Sequence, residues 1–400
     1  MLERQVDRIL RRLGGEPPVP LRVRLWNGRC VDLSANPRVT LRLSRPSALR
    51  YFVAPDLHTL GEAFVDGLID VEGPIHDVFE VGERLARNAS AAGARAPGPG
   101  DHTRAGDRSA IAYHYDVSNE FYSLFLDREM VYSCAYYRDE GDSLERAQEQ
   151  KLDHILNKLD VRPGERFLDI GCGWGALVRR AAERRGARAV GITLSANQAE
   201  HARGRIRDAG LQDRCSVELC DYRDIDGRYD KIASVGMFEH VGLENLPVYF
   251  GRIAALLEDD GLALNHGITT SDTDSGWMHL GAGEFIDRFV FPGGELPHLS
   301  LALKEMAAAG LEVLDVESLR RHYARTCREW ADRLRVHRDS AVRCAGEKRV
   351  RIWEIYLAGC AYGFSRSWMN VYQVLATRAG GGEQPRLPLT RDYMYRASPG

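Results

Sequence analysis

The sequence predicts an open, doubly wound α/β sheet preceded by a smaller mixed unit. Three observations carry that expectation. At 165–175 the chain reads E-R-F-L-D-I-G-C-G-W-G, an apolar run that ends in a carboxylate, breaks into alternating glycines and passes at once into a helical pattern. Downstream, short apolar runs alternate with helical patterns at the period of βα units. Upstream, residues 21–50 follow a different, period-two pattern and are set apart by a stretch rich in Ala, Gly and Pro.

In chain order, residues 2–14 make a short basic helix with Leu2, Val6, Leu10 and Leu13 on one face. Such a helix can lie on a membrane or cover the next unit. L-R-V-R-L and V-T-L-R-L then read as strands parted by N-G and N-P turns, and residues 57–70 have helical spacing. Residues 1–89 form an N-terminal unit, 90–108 a flexible linker, 109–380 the main domain and 381–400 a poorly ordered tail. Composition turns aromatic at Ala110. Helices are expected over 118–125 and 144–160, with the loop M-V-Y-S-C-A-Y-Y between them as core or as a pocket wall.

Strands follow at 166–170, 187–192, 215–220, 231–235 and 261–268, with helices at 176–185, after Ser195 and at 244–258. Residues 271–298 look like an insertion over the pocket. A helix at 300–309, a strand at 311–316, a long basic helix at 321–345, a helix at 349–364 and a strand at 370–377 complete the domain. The stripe of the long helix is Tyr323, Cys327, Trp330 and Leu334.

A net charge of -3 gives no field for nucleic acid. The charge is uneven, however. Residues 1–52 hold eleven Arg against four acids, and 317–351 hold eleven basic residues against five acids, which suits either an anionic lipid surface or an ordinary solvated face. The eight cysteines form no C-x-x-C pair, so no zinc or disulfide framework is indicated. No segment has eighteen uninterrupted apolar residues, and the start lacks an apolar signal region. The expected setting is reducing and cytosolic.

G-x-G-x-G is not the dinucleotide spacing G-x-G-x-x-G. With Asp169 before Gly171, Gly173 and Gly175, it suits a cofactor without phosphates, and S-adenosylmethionine is the favoured ligand. A tight strand–helix turn without ligand is the competing reading.

The chain resembles the cyclopropane-fatty-acyl-phospholipid synthases and mycolic acid cyclopropane synthases. The resemblance runs from about 110 to 380 through Y-H-Y-D-V-S-N-E-F-Y, Y-S-C-A-Y-Y, L-D-I-G-C-G-W-G, G-I-T-L-S-A-N-Q, S-V-G-M-F-E-H-V-G, N-H-G-I and R-H-Y-A-R-T-C-R-E-W. G-E-A-F-V-D-G at 61–67 looks like the extra domain of the phospholipid enzymes. The resemblance implies a Rossmann-like methyltransferase fold, a seven-stranded mostly parallel sheet with a smaller α+β N-terminal domain. It implies that Tyr132 and Ser133 meet the methionine end of the cofactor. Thr193, Leu194 and Gln198 would hold the ribose and adenine side, and Tyr222 and Arg223 would flank the base. A bicarbonate ion is implied beside Cys134, Glu239, His266, Ile268 (through its backbone) and Tyr323.

Simpler readings stand beside these. Glu239 can be a helix-start carboxylate, Cys134 and Cys360 packing residues, and Tyr323 part of its helix's core stripe. The reaction implied is methylene addition across the cis double bond of an unsaturated phospholipid acyl chain. The alternatives are a methylene- or methyl-branched product and a small-molecule methyltransferase. A homodimer at the inner membrane face is also implied.

Overall fold

A computed structural model describes residues 2–89, 118–273, 280–292, 294–380 and 387–396. The expected linker at 90–108 lies outside the described residues. Two sheets organise the chain. The smaller has the order β2-β1-β3-β4, from Leu21–Arg24 (β1), Cys30–Asp32 (β2), Val39–Leu43 (β3) and Ile69–Glu72 (β4). Alternation in L-R-V-R and V-T-L-R-L buries Leu21, Val23, Val39, Leu41 and Leu43, and the helix Leu2–Gly14 covers them with Val6, Leu10 and Leu13.

The larger sheet has seven strands in the order β10-β11-β9-β8-β5-β6-β7. They are Arg166–Ile170 (β5), Arg188–Thr193 (β6), Cys215–Leu219 (β7), Tyr229–Val235 (β8), Leu257–Thr270 (β9), Leu311–Ser318 (β10) and Met369–Arg378 (β11). β7, β6, β5, β8 and β9 pair in parallel, while β11 runs antiparallel to both β9 and β10. Helices flank both faces, giving the mostly parallel methyltransferase sheet with an N-terminal α+β unit. Strand order reverses between β6 and β8 on either side of β5, so a crevice opens at the carboxyl end of β5.

Several elements depart from expectation. The helix read over 57–70 stops at Val65, because Gly67 turns the chain at φ +67° and Ile69–Glu72 pairs with β3. The helix Ile75–Ala89, just after Pro74, is absent from the expected elements although Ile75, Val78, Phe79, Leu85 and Ala86 have helical spacing. The long helix of 321–345 is two, Arg320–Val336 and Arg338–Ala345, turned at His337 so that Ala341 enters the aromatic core. The insertion contains the helix Ala282–Phe289.

The tail is a further correction. Residues 387–396 dock against the helix Leu144–Lys158, burying Tyr393 and Met394. The His154 ring and the Asn157 amide both meet the Met394 carbonyl, at 3.1 and 3.3 Å. Packing on a buried helix outweighs the loop-like composition of the segment.

The basic blocks largely serve the fold. Arg22, Arg29, Arg38 and Arg42 pair with Asp32, Asp7, Asp77 and Asp70. From the helix Glu347–Ser365, Arg351 donates to the carbonyls of Phe64 and Ile69 and to Asp70. Tyr362 donates to Glu83, and Gly61 lets Phe285 pack against the helix Leu57–Val65, where a Cβ would lie 2.7 Å from its ring. These contacts clamp the N-terminal unit onto the main domain.

Candidate active site

The glycine turn is shaped by backbone geometry. Gly171 takes φ +78°, and a Cβ there would stand 2.7 Å from Met237 Cβ. The amides of Gly171 and Cys172 both donate to the Ile192 carbonyl at 2.9 Å, which ties the turn to β6. Gly175 begins the helix Ala176–Arg185 at φ +83° and lets that helix meet Ala202. Its role in this geometry is packing.

Above this turn lies a cavity of about 960 Å³, its open mouth included. Tyr132, Ser133, Asp169, Gly171, Gly173, Thr193, Leu194, Gln198 and Tyr222 line it, whereas Gly175 and Arg223 do not. Arg223 makes a fork with Asp221 at 2.8 and 2.7 Å, and its guanidinium lies 5.2 Å from the Tyr222 ring centre. It therefore positions Tyr222. Thr193 and Gln198 are bonded to each other at 2.9 Å.

The floor of this cavity carries a feature that sequence reading missed. Lys151, almost fully buried in the helix Leu144–Lys158, donates to Ser133 Oγ at 2.8 Å. Burial lowers its ammonium to about 8, against the pull of Asp127 and other anions. Asp169 is buried too. Desolvation raises its carboxyl to about 7 despite Lys151, and Oδ1 has no partner. One cation and one free carboxylate oxygen complement an amino-acid tail. The available signal was a lysine amid apolar residues in Q-K-L-D-H-I-L, which read simply as helix.

A second cavity of about 980 Å³, measured in the same way, shares Tyr132, Gly236 and His240 with the first. Its wall is apolar and aromatic, with Phe291, Tyr323, Trp330, Tyr356 and Phe364 joining Tyr132. Tyr323 stacks on Phe364 at 4.5 Å, and Tyr132 lies 5.1 Å from Trp330. These rings come from the loop before the helix Leu144–Lys158, the insertion and two C-terminal helices.

Glu239 and Ile268 stand in that wall. Glu239 Oε1 accepts the Ile268 amide at 2.7 Å, while Oε2 is shielded and without a partner. Desolvation lifts this carboxyl to about 7, partly offset by the Ile268 amide.

His266 lies behind the wall, on β9. Its Nδ1 meets the Gln373 amide nitrogen at 3.2 Å, so a donating Gln373 leaves Nε2 carrying the proton, and Nε2 has no partner. Burial holds the ring neutral at pH 7. Cys134 is also set back, with Sγ 3.2 Å from the Ala135 carbonyl, and burial pushes its thiol far up. That excludes a resting thiolate nucleophile. Burial raises the Tyr323 phenol as well.

Residues 102–374 match the family model described as mycolic acid cyclopropane synthetase. The chain belongs to this family. Within it, the chain is an S-adenosylmethionine-dependent methyltransferase. Residues 11–91 of this family member match a second model, described as a domain of unknown function. A probable fatty acid methyltransferase of Pseudomonas putida is 45% identical over 381 residues, covering 94% of this chain and 97% of that protein. The solved cyclopropane synthase MmaA2 from Mycobacterium tuberculosis matches with a TM-score of 0.65 and 35% identity, over 68% of this chain and 98% of that one. The mycolic acid cyclopropane synthase CmaA1, complexed with SAH and CTAB, matches with a TM-score of 0.65 and 34% identity, over the same shares. The synthetase-family match thus spans the large sheet and both cavities.

Proposed function

We propose that this protein adds a methylene group across the cis double bond of an unsaturated acyl chain in a membrane phospholipid, making a cyclopropane ring. The observation that carries the reading is the junction itself. A cofactor cavity with Lys151 and Asp169 in its lining and an apolar, aromatic cavity share Tyr132, Gly236 and His240, and a partnerless carboxylate oxygen stands in the second wall.

S-adenosylmethionine, when bound, supplies an electrophilic methyl on a sulfonium. Asp169 and Lys151 would hold its amino-acid tail, and Thr193, Leu194, Gln198 and Tyr222 the nucleoside. The apolar wall aligns the alkene and keeps water away, which matters because an alkene is a poor nucleophile. The faces of Tyr132, Tyr323, Trp330, Tyr356 and Phe364 offer negative potential to positive charge on the chain without bonding to it.

A proton must then leave the new methyl. Glu239 Oε2 is matched to accept one near neutral pH, since its pKa lies near the working range. A small species with one hydroxyl donor and one acceptor oxygen, such as bicarbonate, would complement the partnerless Glu239 Oε2 and the His266 Nε2–H. A bicarbonate ion there would meet Glu239 and Tyr323 in the wall, with His266 and Cys134 set behind it, and would supply a further base. The Ile268 amide is already engaged by Glu239, so its part is to orient that carboxylate.

A second outcome is loss of the proton to a methylene branch, followed by reduction to a methyl branch. The similarity to a probable fatty acid methyltransferase favours keeping it. Mass spectrometry and NMR of a cis-monounsaturated phospholipid incubated with cofactor separate the two. Gain of one CH2 with ring protons supports cyclopropanation, and vinylic methylene signals select the branch. No gain with cofactor bound overturns both.

No described helix is long and apolar enough to cross a membrane. We infer peripheral contact with the inner leaflet through arginines that the fold does not use, such as Arg321, Arg328 and Arg349, and a homodimeric assembly. High salt should weaken binding to anionic vesicles; salt-independent binding would sink this account.

A further inference from the structure

A third cavity, larger than either part of the reaction site, lies apart from them. It measures about 1840 Å³ with its mouth included and lies between the N-terminal unit and the C-terminal helices. Leu41, Leu60, Phe64, Val71, Val78 and Ile355 give it an apolar wall. The helix Glu347–Ser365 divides it from the reaction cavity. Ile355 and Ala358 face one side, and Tyr356, Leu357 and Cys360 face the other.

The charges of its lining fall into two groups. Arg351 is held by Asp70, and Arg338 by Glu347 and Glu354, so these are spent on the fold. Arg335, Asp332 and Glu72 also line the cavity and are exposed, and their side chains have no hydrogen bond or ion pair among the described residues. One free cation and two free carboxylates flank an apolar space. A purely anionic head would meet repulsion from Asp332 and Glu72, and a purely cationic one would meet Arg335. A head that carries both signs satisfies all three.

We propose that this cavity binds the acyl chain of a zwitterionic phospholipid, with the phosphate on Arg335 and the ammonium toward Asp332 and Glu72, as a lipid site separate from the reaction cavity. A lipid held there contacts both units and one face of the helix that walls the reaction cavity. The site is independent of which product the enzyme makes.

Calorimetry on the full chain, with S-adenosylhomocysteine present, tests this with dodecylphosphocholine below its micellar concentration. The expected result is binding about tenfold tighter than dodecyl maltoside, dodecyl phosphate or dodecyltrimethylammonium. Arg335→Gln should weaken it about fivefold, and Val78→Trp, which fills the space, should abolish this class of site. Cys360→Trp, which fills the reaction cavity, should leave it intact. Arg335 is on the surface, so that variant remains informative even where Val78→Trp fails to fold.

Equal affinity for all four amphiphiles overturns the zwitterionic assignment. A single class of site lost in Cys360→Trp and untouched by Arg335→Gln overturns the separate site. Product formation by Arg335→Gln on a short-chain soluble substrate reads the reaction independently, so failure of one proposal is distinguishable from failure of the other.

Discussion

The cofactor cavity and the aromatic cavity meet at three residues, yet they are built by opposite means. The first hangs largely on backbone: strand ends, a glycine turn tied to Ile192, and side chains within a few residues of β5 to β8, to which Tyr132, Ser133 and Lys151 are added by packing. The second stands on two C-terminal helices and two loops rather than on strand ends. Its rings come from residues 132, 291, 323, 330, 356 and 364, brought together only by tertiary packing. A backbone-defined site tolerates little change at single atoms, whereas a site of overlapping rings shares its work among several residues. That difference orders the expected effects of substitution.

Glu239 is the exception inside the second cavity and should give the largest effect. Glu239→Gln keeps an acceptor for the Ile268 amide but removes the proton acceptor. Product formation should fall by about 10² to 10⁴-fold with cofactor affinity unchanged. Unchanged turnover would mean that the aromatic cavity works without a chain-supplied base.

The same substitution should stabilise the protein at pH 8. A carboxyl whose folded pKa is raised favours the protonated form, so stability is lost as pH rises from the ordinary carboxylate range through about 7. Glu239 is partly accessible, so the gain is on the order of 1 kcal/mol, read as a higher melting temperature at pH 8 than for the parent chain and little difference at pH 4.

Gly171→Ala probes the backbone-defined side. The new Cβ meets Met237 at 2.7 Å, and φ +78° is costly for an L side chain. Affinity for S-adenosylhomocysteine should drop roughly 10- to 100-fold by calorimetry. Gly175→Ala should behave differently. It presses on Ala202 away from the cavity, so the melting temperature should suffer more than cofactor affinity. Equal loss of affinity in both variants would erase the distinction between a lining and a packing glycine.

The pH profile gives a smaller effect. Turnover at saturating substrate should fall about tenfold between pH 8 and pH 6, as Glu239 takes up its proton through about 7. His266 is held neutral by burial across that range and should contribute no limb of its own. A profile that is flat down to pH 5 would place the proton acceptor elsewhere.

The contrast also explains what the sequence could reveal. Strands β5 to β8, the glycine turn and the residues just beyond the strand ends are local signals, and they were readable as such. Bare periodicity left the aromatic block at 130–137 as either core or pocket wall, because ring-to-ring contacts across 200 residues leave no local trace. Lys151 shows the same limit. Its charge reads as a solvated helix position, and only the packing of the Leu144–Lys158 helix under the sheet makes it part of the cavity floor. The docked Tyr393 and Met394 were read as loose tail for the same reason.

Tyr356 should give the smallest effect and tests the shared character of the ring wall most directly. Its hydroxyl stands 3.4 Å from that of Tyr132, a long contact worth little. Its ring is 5.6 Å from Trp353 and 5.9 Å from Phe291, and it lines the aromatic cavity. If the wall acts through aromatic faces, Tyr356→Phe should keep turnover within about twofold. Tyr356→Leu, apolar but smaller and without a face, should lose about tenfold, within the roughly 0.5–2 kcal/mol range of a single cation–π contact. Equal turnover in the Phe and Leu variants would reduce the wall to a hydrophobic container. A large loss in Tyr356→Phe would instead shift the weight to the hydroxyl pair at the junction, and the two cavities would then differ less than their construction suggests.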